Sequence, residues 1–97
     1  MKNIVEYINE GITDKIPVKA KNIGKKLLDD IYGGDFNDLS YAMSQQDFKN
    51  FRQYCNDINR NYSKPVFRSS DIKYMIDNWD LCIKAYHNYY DEKSRNI

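Results

Sequence analysis

Ninety-seven residues with a formal net charge of +1 and a pI near 7.7 give one domain's worth of chain and no strong field of either sign. Mean hydropathy is −0.83, yet 14% of the residues are aromatic, nine of them tyrosine. A disordered tail is excluded, because it lacks apolar groups to offset ordering entropy, and so is a global charge that would drive the chain onto nucleic acid or an acidic membrane.

No apolar run approaches the roughly 18 residues of a membrane span, and no secretory core is present. The chain is therefore expected to stay in the compartment where it is made, with no membrane partner. Cys55 and Cys82 lie far apart in sequence without a CxxC motif. In a reducing cytosol they read as small buried hydrophobes, a disulfide being the lesser alternative. Asn, Lys and Ile each occur eleven times, a bias toward AT-rich codons that points to an AT-rich genome and says nothing of fold.

The first helix is expected over residues 2–10, with Ile4, Val5 and Ile8 on one side and Gly11 at its end. A linker over residues 12–19 follows, where Pro17 forbids a continuous helix. Ala20, Ile23, Leu27 and Ile31 then recur at helical spacing, predicting a helix over residues 20–32 that Gly33 and Gly34 stop. Its charges oppose the helix dipole: Lys21, Lys25 and Lys26 come early, Asp29 and Asp30 late. Tertiary packing must hold this helix.

Residues 35–43 read as a short helical turn. Ser44 is expected to cap the next helix, in a capping box with Asp47 in the usual Glu place. Phe48, Phe51, Cys55 and Ile58 form its apolar stripe, which fades over residues 59–63. Pro65-Val-Phe-Arg is extended, with brief pairing to another segment expected. Ser69 or Ser70 then caps a single long helix over residues 70–94. Its core stripe is Ile72, Met75, Ile76, Trp79, Cys82, Ile83, Tyr86 and Tyr90. The expected fold is all-α, a compact three- to four-helix domain over residues 11–97. It is built on the 44–60 and 70–94 helices, with residues 1–10 either a first helix or a detachable leader.

The sharpest local pattern is Met1-Lys2-Asn3-Ile4-Val5-Glu6-Tyr7-Ile8-Asn9-Glu10-Gly11. Two of the chain's three glutamates lie in this decapeptide and its flank. It resembles the capsid-targeting leader of the internal head proteins of T-even-type phages. Such a leader is short, begins Met-Lys, and carries a Glu-aromatic pair ahead of an Ile/Leu-x-Glu cleavage site. Here Glu6-Tyr7 matches the pair and Ile8-Asn9-Glu10 the site, with Gly11 as the new N-terminus. Ile8 offers the protease an apolar anchor, Glu10 a carboxylate beside the scissile bond, and Gly11 an approachable backbone.

The resemblance implies two partners for residues 1–11, the phage prohead core and the prohead protease. It implies residence in the virion head and then the host cytoplasm. It also implies a mature body that acts on a host protein. Cleavage would remove Lys2, Glu6 and Glu10 and move the net charge from +1 only to +2, so nucleic-acid binding is expected to be weak or absent. The alternative is a small inhibitor or regulatory protein that is not packaged, with residues 2–10 part of its fold.

Tyr74, Leu81 and Ala85 make a second apolar face on the last helix, opposite Trp79. This face is either packed on a neighbouring helix or a partner-binding surface. The tail Tyr86-His87-Asn88-Tyr89-Tyr90 fits core and boundary packing, with base stacking as its weaker reading. Lys15, Lys19, Lys21, Lys25 and Lys26 fit a solvated face better than a phosphate site. His87 has no second histidine or nucleophile pair, and Asp29, Asp30, Asp35 and Asp38 lack calcium-loop spacing. The sequence thus predicts no catalytic residue, metal site or cofactor.

Overall fold

A computed structural model describes residues 16–95, and within them the chain is all-α. The expected first helix and the cleavage-site residues Ile8, Glu10 and Gly11 lie outside the described residues. Five helices follow in order: α1 (Val18–Asp29), α2 (Gly33–Ser44), α3 (Phe48–Asn61), α4 (Ser69–Asp77) and α5 (Trp79–Arg95). The long C-terminal helix is present, but the expected 70–94 helix is two helices, broken at Asn78. Helix α1 lies along α5, while α2 packs on α3.

The core belongs to α1 more than the sequence suggests. Ala20, Ile23 and Leu27 are fully buried, with Ile16 ahead of them and Ile31 behind. Pro17 precedes the first helical turn with extended geometry (φ −61°, ψ 151°) and accepts at its carbonyl from the Lys21 N–H. Of the charges that oppose the α1 dipole, Lys19 in the first turn pairs with Asp71 and Asp29 in the last turn pairs with Lys93; Lys26, expected early in the helix, lies in its last turn, where the dipole favours it, and also pairs with Asp71. Tertiary pairing thus offsets the dipole cost.

Gly33 and Gly34 do not stop a helix; they begin one. Helix α1 ends at Asp29, residues 30–32 make the turn, and the glycines form the first turn of a full α2. The Tyr62 hydroxyl secures this start. It accepts from the Tyr32 N–H at 3.1 Å and donates to the Asp35 carboxylate at 3.0 Å.

Ser44 likewise closes α2 and does not cap α3. Its hydroxyl donates back to the Tyr41 carbonyl at 2.7 Å. The α2 terminus is a Schellman motif: Asp47 N–H donates to the Ala42 carbonyl and Gln46 N–H to the Met43 carbonyl. Gln46 therefore sits in the left-handed region at φ 54°, where glycine is usual. Asp47 is the true cap of α3, accepting from the Asn50 N–H at 3.2 Å and from its side-chain amide at 2.7 Å.

The segment after Pro65, expected to be extended, bends at Val66 and Phe67 and reaches extended geometry at Arg68 (φ −78°, ψ 165°), and its pairing partner is a side chain. Asn59 Oδ1 accepts from the Val66 and Phe67 N–H groups at 2.8 and 2.9 Å, and Nδ2 donates to the Phe67 carbonyl at 2.7 Å. One amide thus satisfies three backbone groups of this bend. The stretch expected to fade contains this anchor, and it holds Phe67 wholly inside the core.

The core stripe expected on the last helix also shifts. Met75 and Cys82 are buried, and Ile72, Ile76, Trp79, Ile83 and Tyr86 are half-buried, but Tyr90 is exposed. Ala85 is buried instead, and Tyr89 is half-buried. Helix α5 turns its smallest side chain to α1 at Gly24, and a pattern weighted by hydrophobicity favours larger residues. On α3, Phe51, Cys55 and Ile58 are buried as expected, while Phe48 is 39% exposed.

Candidate binding surfaces

Two of the concave regions among the described residues differ in their charge. The first is a cleft of about 450 Å³ between α1 and α4. Its walls carry Lys19, Lys25, Lys26 and Arg68 against Asp30 and Asp71. Asp71, the third residue of α4, is buried and accepts from the Arg68 N–H at 3.0 Å, the acidic half of a capping box.

Asp71 also accepts from Lys19 and, at 3.4 Å, from Lys26, whose ammonium donates onward to the Val66 carbonyl at 3.0 Å. Burial alone would raise the Asp71 pKa. Hydrogen bonds from Lys19 and the Arg68 N–H, with the charges of both lysines, outweigh burial and lower it. Half of the cleft's cations are thereby engaged inside the protein, in a network that ties α1 to α4.

The second region is a groove of about 430 Å³ where the end of α2 and start of α3 meet the α4–α5 break. Met43, Ile76, Trp79 and Leu81 give it half-buried apolar surface, which exposed Phe48 extends. The break shapes this groove. Asn78 leaves helical geometry (φ −137°, ψ 39°), its N–H closing α4 on the Tyr74 carbonyl while its own carbonyl starts α5 by accepting from Cys82. Trp79 is fixed from behind by Phe51, edge-on at 5.5 Å, and by Phe36 at 6.5 Å.

Two exposed carboxylates, Asp77 and Asp80, flank the break and line the same groove. Among the described residues neither makes a salt bridge. The arrangement offers an apolar seat beside two available negative charges.

The structure divides the sequence-derived partner face Tyr74–Leu81–Ala85. Ala85 is 2% exposed and packed against α1, so it cannot meet a partner. Tyr74 is half-buried against the core, and burial raises its pKa. Leu81 alone of the three lines the groove. Sequence reasoning missed Phe48 and Met43 as groove residues because an apolar stripe does not reveal which member a helix start leaves uncovered. The Asp77-Asn78 pair, poor helix formers inside an otherwise apolar stripe, was the available signal for the break.

The other candidates are placed more simply. Tyr86 stacks on Phe36 at 4.3 Å and 13°, so one ring face is used internally. His87 is exposed beside Tyr86, ring edge to face at 5.4 Å. Cys55 and Cys82 are free and buried, and burial pushes both thiols up to about 12. At neutral pH they are protonated and inert.

Among the described residues no group of three His, Cys, Asp or Glu side chains is placed to hold a metal ion, and no helix is long and apolar enough to cross a membrane. No known protein family, curated protein or solved structure matches the chain.

Proposed function

We propose that the chain is an internal head protein of a tailed bacteriophage that acts by binding a host protein. Residues 1–10 direct it to the assembling prohead core. The prohead protease cuts after Glu10, and the body leaves the head with the DNA and works in the host cytoplasm. The observation that carries this reading is the leader-like order of Glu6-Tyr7 and Ile8-Asn9-Glu10-Gly11 ahead of a helical body.

The groove at Trp79 serves either history, so a second reading stands beside the first: a binding protein that is made in the cell and never packaged. Intact mass separates the two. Protein from purified particles of the source phage is compared with protein from expressing cells. A particle-borne species beginning at Gly11 supports packaging and processing. Full-length protein confined to cells rejects it and leaves the unpackaged inhibitor.

A further inference from the structure

We propose that the groove at the α4–α5 break takes a cationic amphipathic segment of the partner protein. A large apolar side chain would sit against Trp79 and Phe48, with flanking Lys or Arg beside Asp77 and Asp80. The inference rests on the reading of the body as a binding protein and names the chemistry of what it binds.

Three observations converge on this occupant. Phe48 is 39% exposed at the start of α3, although its stripe-mates Phe51, Cys55 and Ile58 are buried. It adjoins the half-buried Trp79 and Leu81 in one concavity, so apolar surface is available where a partner side chain would be enclosed. Asp77 and Asp80 line the same concavity and pair with no cation among the described residues.

Charge complementarity selects the partner. The carboxylates repel nucleic-acid phosphates, anionic lipid headgroups and acidic peptides, and attract a Lys/Arg-bearing one. The cleft between α1 and α4 has already joined Lys19 and Lys26 to Asp71, whereas these two acids remain available. Backbone order at the seat is also set in advance. The Schellman turn at Gln46 and the helix break at Asn78 hold the two walls, and Phe36 and Phe51 hold the Trp79 ring.

Trp79 is the only tryptophan in the chain, so its fluorescence reports on the groove directly. The full chain is titrated with a synthetic helical lysine–leucine peptide whose leucines stand at i, i+3, i+4 and i+7, and with its glutamate–leucine counterpart. The lysine peptide is expected to shift Trp79 emission saturably, with an affinity that falls as salt rises. The glutamate peptide should leave emission unchanged.

Asp77→Asn with Asp80→Asn should weaken binding about tenfold, as should Phe48→Ala, with the helical circular dichroism retained. Asp38→Lys, an exposed site on α2 outside the groove, should change nothing. Equal binding of both peptides, a silent Trp79, undiminished binding by the double Asn variant, or an emission change tracking protein concentration alone would each overturn the proposal. Packaging is read separately from particle mass, so a processed, particle-borne protein with a silent groove would sink this inference and leave that reading standing.

Discussion

Gly24 on α1 and Ala85 on α5 meet where the two backbones touch. A methyl group built on Gly24 would stand 2.7 Å from the Ala85 Cβ and 2.7 Å from the Tyr86 nitrogen. Both helices therefore give up side-chain bulk at the same point. Gly24→Ala gains about 1 kcal/mol of helix propensity but must push α5 away along its backbone. The clash wins: we expect a net destabilisation of about 1–3 kcal/mol in urea unfolding. An unchanged or higher midpoint would mean that the helices separate more freely than this contact implies.

Glycine at position 34 has the opposite standing. A Cβ there meets nothing within 4 Å, and no described glycine has a positive φ. Gly34→Ala should therefore stabilise the protein by about 0.4–1 kcal/mol, mainly by restricting the unfolded chain. The thermal midpoint is the simplest readout.

Gln46 occupies the left-handed position of the Schellman turn at φ 54°. Gln46→Gly relieves that strain at some cost in unfolded-state entropy. The expected balance is a gain of about 0.5–1 kcal/mol, measured by the urea midpoint at unchanged m-value.

Asp71 makes stability depend on pH in a defined direction. Its pKa in the folded protein lies below the ordinary value of 3.8. Its contribution is therefore complete above the unfolded-state pKa and is lost as pH falls from near 3.8 through the depressed folded value. Asp71→Asn should cost about 1–3 kcal/mol at neutral pH, the partly exposed lysines limiting the loss. The variant should also lose less stability than the parent as pH falls below the ordinary value of 3.8. Parallel acid profiles for the two proteins would refute the assignment.

Asn59→Ala strips three hydrogen bonds from the Val66–Phe67 backbone and loosens the loop that buries Phe67. A loss of about 2–3 kcal/mol is expected, with amide exchange at Val66 and Phe67 rising before the helices unfold. Protected amides there in the variant would show that the loop holds itself.

The all-α class and most helical stripes were legible in the sequence because helical spacing repeats over several turns. Ala20, Ile23 and Leu27, and likewise Phe51, Cys55 and Ile58, fall inside as their period requires. Boundaries were less legible. Gly33-Gly34 and Ser44 each have two meanings, helix end or helix start, and a distant partner such as Tyr62 decides between them. Ala85 belongs to the second apolar face, and of the two readings of that face its contact with Gly24 is helix packing, which small size at both positions allows. At the groove, Leu81 was singled out from its pattern, but Phe48 and Met43 become its neighbours only through the α2–α3 turn and the break at Asn78.

The pairing of α1 with α5 has a consequence for how the protein comes into being. Synthesis runs from the N-terminus to the C-terminus, so α1 leaves the ribosome long before its packing surface exists. Helices α2 and α3 can pair as soon as α3 is complete, but Ala20, Ile23 and Leu27 wait for the residues around Ala85. Closure of the body is therefore a late event in translation, and a nascent chain cut short before α5 would carry an uncovered apolar helix near its beginning.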